Sequence, residues 1–182
     1  VYHRIVYQGN ASSSFLSLSE PEDKLLVINS SSKSFNMTGW RVGWITHPEY
    51  LGEHIAKLVQ ISTTGVPEFI QKGFIEALKN HEFLVEEVMK NLHVSRDFVY
   101  NKMKHWTKLK INKPASAFYF FFKANDAQDS ISFCKNLIKK TQVGLAPGVA
   151  FGKSGDNFLR LCFAADVKFL ENILNRLEEE FN

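Results

Sequence analysis

One lysine, one arginine and a run of serines stand close together in Ile28-Asn-Ser-Ser-Ser-Lys33-Ser-Phe-Asn-Met-Thr-Gly-Trp-Arg41-Val-Gly-Trp44. Lysine is a nucleophile that condenses with aldehydes. It needs a fraction of neutral amine, which burial or a neighbouring cation favours. Arginine presents a planar fork suited to phosphate, and Ser30 and Ser32 add hydroxyls. The apolar run Leu25-Leu26-Val27-Ile28 reads as a strand, and α/β sheets hold ligands just beyond the ends of such strands. A lysine for covalent attachment beside a Ser/Arg phosphate cradle is the equipment for pyridoxal phosphate. Taken singly, a loop lysine is ordinarily solvated surface and a serine cluster ordinarily a turn.

The elements that must position these groups follow from periodicity. Val1 to Tyr7 is rich in β-branched and aromatic residues and reads as a strand already under way. With no initiator Met, the chain reads as a piece of a longer protein. Gln8 to Ser19 reads as a loop with room for one helical turn, and Pro21-Glu22-Asp23 as a turn. Lys24 to Asn29 reads as a strand buried on both faces of a parallel sheet, Ser30 to Gly39 as an irregular loop, and Trp40 to Thr46 as a strand. Helices follow over His54 to Ile61, after Pro48, and from Pro67 to Leu78. A third, His81 to about His105, spans about 37 Å at about 1.5 Å per residue and is long enough to bridge two domains. The last third reads as strand Pro114 to Lys123, helix Asp129 to Lys140, short strand Val143 to Leu145, turn Ala146 to Gly148, strand Phe158 to Ala164 and helix Asp166 to Phe181, with Asp166 as N-cap. That order describes an α+β layer with helices on one face of a small sheet. The run Phe118 to Phe122 reads as a core strand.

Composition bounds the function. The chain has 182 residues, 45% of them apolar, and a net charge of +3. Its Lys and Arg are scattered among acidic residues, which argues against a nucleic-acid stripe. No apolar run approaches the roughly 20 residues of a membrane span. Cys134 and Cys162 lack metal or redox spacing and read as reduced structural thiols of a cytoplasmic protein. The histidines show no metal-ligand spacing. Trp40 and Trp44 read as packing anchors.

The segment Ser30-Ser-Ser-Lys33, followed by Asn36-Met-Thr-Gly-Trp-Arg41-Val-Gly43, resembles the attachment motif of the class I/II aminotransferases, the aspartate-aminotransferase-like, fold type I pyridoxal-phosphate enzymes. Ser31 departs from it, since the family usually has an aliphatic or aromatic residue there. Tyr2 matches the tyrosine of the family's Asp-x-x-Tyr strand, whose aspartate would lie one residue before Val1. Pro114-Ala-Ser-Ala-Phe-Tyr119 resembles the family's Pro-x-Gly-Ala-Phe-Tyr, with Ser116 at the usual glycine. Ala146-Pro-Gly-Val-Ala-Phe-Gly152, then Asn157-Phe-Leu-Arg160-Leu161, resembles the segment whose arginine grips the substrate α-carboxylate.

The resemblance covers nearly all of the chain and corresponds to about the C-terminal half of such an enzyme. It implies a mixed α/β and α+β chain, the C-terminal part of the PLP-dependent transferase fold. Residues 1–80 would end the large cofactor domain, 81–106 form a bridging helix and 107–182 the small domain. It implies Lys33 as the catalytic residue and covalent anchor, Tyr2 on the cofactor's 3′ oxygen, Ser30 and Arg41 on its phosphate, and Arg160 on the substrate. It implies amino acid and 2-oxo acid substrates, a homodimer, and no metal, nucleic acid or membrane partner. A phosphate loop, a ring-stacking aromatic, an asparagine and the aspartate come from upstream in the family. This chain alone is therefore expected to bind cofactor weakly and not to transaminate. A fold type I β-lyase or synthase, and the aminotransferase-like sensing domain of a transcription regulator, stay open. One subfamily places an arginine for a distal carboxylate around Ile61 to Pro67. Here Gln60, Ser62, Thr63 and Thr64 stand instead, which argues against strict aspartate specificity.

Overall fold

A computed structural model describes residues 1–9 and 12–182. Asn10 and Ala11, inside the loop expected over Gln8 to Ser19, lie outside the described residues. The chain divides into two units, Val1–Met89 and Lys90–Asn182. The division falls within one long helix, α3 (His81–Met103).

In the first unit the expected strand over Val1 to Tyr7 is not formed. Ile5 N–H donates to Tyr2 O at 2.8 Å and closes a turn, leaving Val6 a single bridge. Strand propensity holds a residue extended only where a neighbour supplies a hydrogen-bonding ladder. A single 3₁₀ turn, Phe15–Leu18, interrupts the following loop and is capped by Ser14. Strand β1 (Val27–Ser30) pairs antiparallel with β2 (Gly43–Thr46). The expectation of a parallel strand buried on both faces is corrected here. β1 and β2 are the two legs of one loop, and a direct return gives an antiparallel pair; Ile28 is 66% exposed. Helix α1 (Gly52–Thr63) ends where Thr64 and Gly65 take positive φ of 63° and 119°. Pro67 then opens α2 (Glu68–Lys79), as its missing N–H allows. Phe74 and Ala77 of α2 share a core with Phe35, Met37 and Val42, and Leu84 packs against it.

The second unit is a four-stranded antiparallel sheet in the order β3 (Leu109–Lys110), β4 (Tyr119–Ala124), β6 (Phe158–Cys162), β5 (Ala146–Pro147). β4 begins later than Pro114 because Ala117 turns left-handed, φ 59°. The short strand expected at Val143 to Leu145 lies at Ala146–Pro147 instead. Val143 N–H is taken by Thr141 Oγ1 at 3.2 Å, so that stretch serves as the exit from helix α4 (Ser130–Thr141). Phe120, Phe122, Leu159 and Leu161 point inward. They share the core with Leu170, Leu174, Leu177 and Phe181 of α5 (Val167–Phe181), the apolar stripe of an amphipathic helix. Phe122 meets the Phe181 ring edge-on at 6.0 Å. The run Phe118 to Phe122 is thus only half core, because alternate residues face the other way. No helix among the described residues is long and apolar enough to cross a membrane.

Charged groups tie the entry of β4 to α3. Buried Arg96 donates through Nε to Asp97 at 2.8 Å and through Nη1 to Pro114 O at 3.4 Å. Lys113 Nζ reaches the same Asp97 oxygen at 2.9 Å. Burial would raise the Asp97 carboxyl, but hydrogen bonds from Lys113 and Arg96 outweigh it and hold it below the usual carboxylate range. Asp129, the N-cap of α4, is also held low, first by the Ser132 hydroxyl and then by the Ser132 and Ile131 N–H groups. A carboxyl depressed on folding adds stability that is complete above its unfolded pKa and is lost as pH falls through the folded value. Urea midpoints are therefore expected to hold level down to about pH 5 and to fall below about pH 4, with a shallower fall in Asp97→Asn. Asp166 accepts Phe169 N–H at 2.9 Å as the α5 cap. Asp166→Ala is expected to cost about 1 kcal/mol in the same measurement.

Candidate active site

Ser31 closes the loop that carries the lysine. Its backbone N–H and its hydroxyl both donate to Val42 O, at 3.2 and 2.8 Å. The neck so formed adjoins the last β1–β2 pair, Ser30 opposite Gly43. Gly43 is required there, because a Cβ would stand 2.6 Å from Asn29 O. Beyond the neck, Phe35 N–H donates to Ser31 O at 3.3 Å and Asn36 N–H to Lys33 O at 3.2 Å. These bonds wind the lysine into a turn and leave it half-buried. Fully buried Ser34 donates to Val1 O at 3.4 Å. This bond brings the residue before Tyr2 to the residue after Lys33.

The arginine end is set by packing. Val42 is buried with Phe35, Met37 and Phe74. The Trp40 ring lies on α2 at Gly73, where a Cβ would come within 2.6 Å of Cζ3. Between these anchors Arg41 takes a left-handed backbone, φ 54°. A non-glycine residue rarely does so, and such strain persists where surrounding contacts over-determine it. Arg41 Nη1 donates to Thr38 O at 3.0 Å, and the side chain is exposed. Ser30 Oγ accepts Ser32 N–H at 3.1 Å, which leaves the Ser30 hydroxyl proton to donate. Tyr2, Ser30, Lys33 and Arg41 therefore belong to one closed loop and the segment tied to it. Arg160 belongs to the second unit.

Arg160 stands on the face of the sheet opposite the core. Its cross-strand neighbours are Phe121 on β4 and Ala146 on β5. The guanidinium carbon lies 4.3 Å from the Tyr119 ring centre and 4.2 Å from that of Phe151. Phe151 ends the 3₁₀ turn Gly148–Phe151. That turn sits close because Gly148 and Gly155 bring their backbones into contact where no Cβ would fit. Cys134 is buried, which pushes its thiol up, whereas Cys162 is exposed. Of the two thiols expected to be structural, only Cys134 is in the interior.

The donor set fits pyridoxal phosphate. An amine, hydroxyls and a guanidinium on a loop closed at its neck match an aldehyde and a phosphate. Sequence reasoning marked Ser31 only as a departure from the pattern, yet its hydroxyl is half of the closure. It quoted Phe151 as part of a motif but gave it no role, because its place beside Arg160 appears only once β6 is formed. Gly73 was invisible because its partner, Trp40, lies on a different element.

Residues 1–177 match the family described as aminotransferase class I and II. The chain belongs to that family. Enzymes of the family depend on pyridoxal phosphate, and this chain has the mixed helix-and-sheet architecture of their fold. It is 32% identical over 187 residues to a probable aspartate aminotransferase of Methanocaldococcus jannaschii, covering 100% of this chain and 48% of that protein. It is 33% identical over 183 residues to an aspartate aminotransferase of Thermotoga maritima, covering 100% of this chain and 46% of that one. The crystal structure of an aromatic aminotransferase from Pyrococcus horikoshii superposes with a TM-score of 0.90 at 31% identity, covering 99% of this chain and 48% of the other. The chain spans about half the length of the curated relatives it matches.

Gly43→Ala tests the neck. The added Cβ forces Asn29 O aside and is expected to cost about 1–3 kcal/mol. It should also slow reductive trapping of pyridoxal phosphate on Lys33, followed by peptide mass. Gly39→Ala, with open space at its Cβ, is expected to change neither.

Proposed function

We propose that the full-length protein is a pyridoxal-phosphate-dependent aminotransferase that moves an amino group from an amino acid to a 2-oxo acid. In this reading the chain is its lysine-bearing, C-terminal half. Residues 1–80 contribute to the cofactor domain, 81–106 form the bridging helix and 107–182 the small domain. The observation that supports it most is the closed loop with Ser30 beside its Ser31–Val42 neck, Lys33 in its first turn and strained Arg41 at its end.

When bound, the cofactor supplies the electron sink that makes the substrate Cα–H bond labile. Lys33 Nζ is the covalent anchor at rest and the general base for the Cα proton during turnover. Ser30 and Arg41 hold the phosphate, Arg41 through charge-assisted bonds. Tyr2 donates its phenolic proton to the 3′ oxygen. Arg160 takes the substrate α-carboxylate through its fork. Gln60, Ser62, Thr63 and Thr64, at the end of α1, are uncharged, which argues against strict aspartate specificity. The working form is a cytoplasmic homodimer, and the chain alone does not transaminate.

An amino-donor screen of the full-length protein, with a 2-oxo acid as acceptor, tests the reading. Lys33→Ala is expected to lower turnover by at least about 10³-fold and to abolish the trapped peptide. Elimination products in place of amino transfer would favour a lyase, and turnover by the 182-residue chain alone would overturn the claim that it is inactive.

A further inference from the structure

We propose that Tyr119 and Phe151 are positioning residues: they form a two-ring clamp that holds the Arg160 guanidinium ready for the substrate carboxylate. This rests on the reading of Arg160 as the carboxylate-binding arginine.

An arginine on a strand face is ordinarily held by an acidic neighbour. Among the described residues Arg160 has no such ion pair. Its fixed partners are the two rings, 4.3 and 4.2 Å from the guanidinium carbon. The difference matters chemically. A carboxylate partner would neutralise the cation and occupy its N–H fork. A ring face attracts the cation through its quadrupole and leaves the N–H groups for a hydrogen-bonded anion.

The rings are themselves braced. Tyr119 is the first residue of β4 and lies diagonally across from Arg160, since its direct partner is Cys162. Phe151 is held by the Gly148–Gly155 backbone contact. It also meets the Phe121 ring edge-on at 5.9 Å, and Phe121 stacks on Phe158 at 5.1 Å and 10°. The open face of the sheet is therefore an aromatic frame around one cation. Such a frame restricts a long, flexible side chain before substrate arrives, which is preorganisation. The expected signature is in substrate binding rather than in the proton-transfer step.

The test uses the full-length holoenzyme. Tyr119→Leu and Phe151→Leu are each expected to raise KM for amino acid and 2-oxo acid about three- to thirtyfold, with kcat changed less than about twofold. Calorimetry with 3-phenylpropionate, a carboxylate that cannot react, should show its Kd rising by the same factor. Tyr119→Phe and Phe151→Tyr keep the ring and should stay near wild type. Mono-, di- and trifluorinated phenylalanine at position 151 weakens the quadrupole with little change in shape, so KM should climb with each fluorine. That series stands even if the leucine variants fail to fold. Arg160→Leu is the reference. If it raises KM while the ring variants and the fluorine series do not, the clamp is overturned and the role of Arg160 stands. If Arg160→Leu leaves KM unchanged, the carboxylate reading falls and the clamp with it.

Discussion

The Val42 carbonyl oxygen accepts two hydrogen bonds from Ser31, one from the backbone N–H and one from the hydroxyl, and the form of the lysine loop follows from them. Ser31 is fully buried. A buried carbonyl with both lone pairs satisfied is a rigid junction, because breaking either bond leaves a polar group without water. The junction fixes the start and finish of the segment against each other. Ser30 then stands just outside it on the ladder side, Lys33 lies just inside it, and Arg41 precedes Val42 by one residue. The β1–β2 ladder, the Gly43 contact and the burial of Val42 all reinforce the same closure. Position 31 is also where this chain departs from the usual family residue. An aliphatic side chain would fill the space but could not donate.

In the second unit the organising constraint is the two-sidedness of a β-strand. β4 and β6 each send alternate residues into the core and onto the open face. Phe120, Phe122, Leu159 and Leu161 are buried in the core, where Phe122 meets Phe181 of α5. Tyr119, Phe121, Phe158 and Arg160 occupy the other face, so a run of aromatics serves packing and a cation at once. The stiffness that the core gives to Phe120 and Phe122 is transmitted to their neighbours, because adjacent residues on one strand share a backbone.

Much of this was legible in the sequence for identifiable reasons. Helices α2, α3, α4 and α5 were read nearly to their ends, since apolar period, Pro67 and the Asp166 cap are local signals. The lysine loop was legible as a motif. The first seven residues were not, because their strand propensity needed a ladder that they do not find. Lys24 to Asn29 was misjudged because an apolar run does not state the direction of its partner. Val143 to Leu145 was misjudged because a threonine hydroxyl took the N–H a strand would have used.

The sequence by itself determined the chemistry available: which residues can condense, donate, cap or pack, and in what order. That information is local, carried by residue type and spacing over a few turns. Only the tertiary structure decided which of these groups are held and by what. Ser31 and Val42 lie eleven residues apart in the chain, Trp40 and Gly73 lie on different elements, and Arg160 meets Phe151 only through a glycine contact and a strand register. No spacing rule encodes such encounters, because they exist only once the backbone has closed and the side chains compete for the same space.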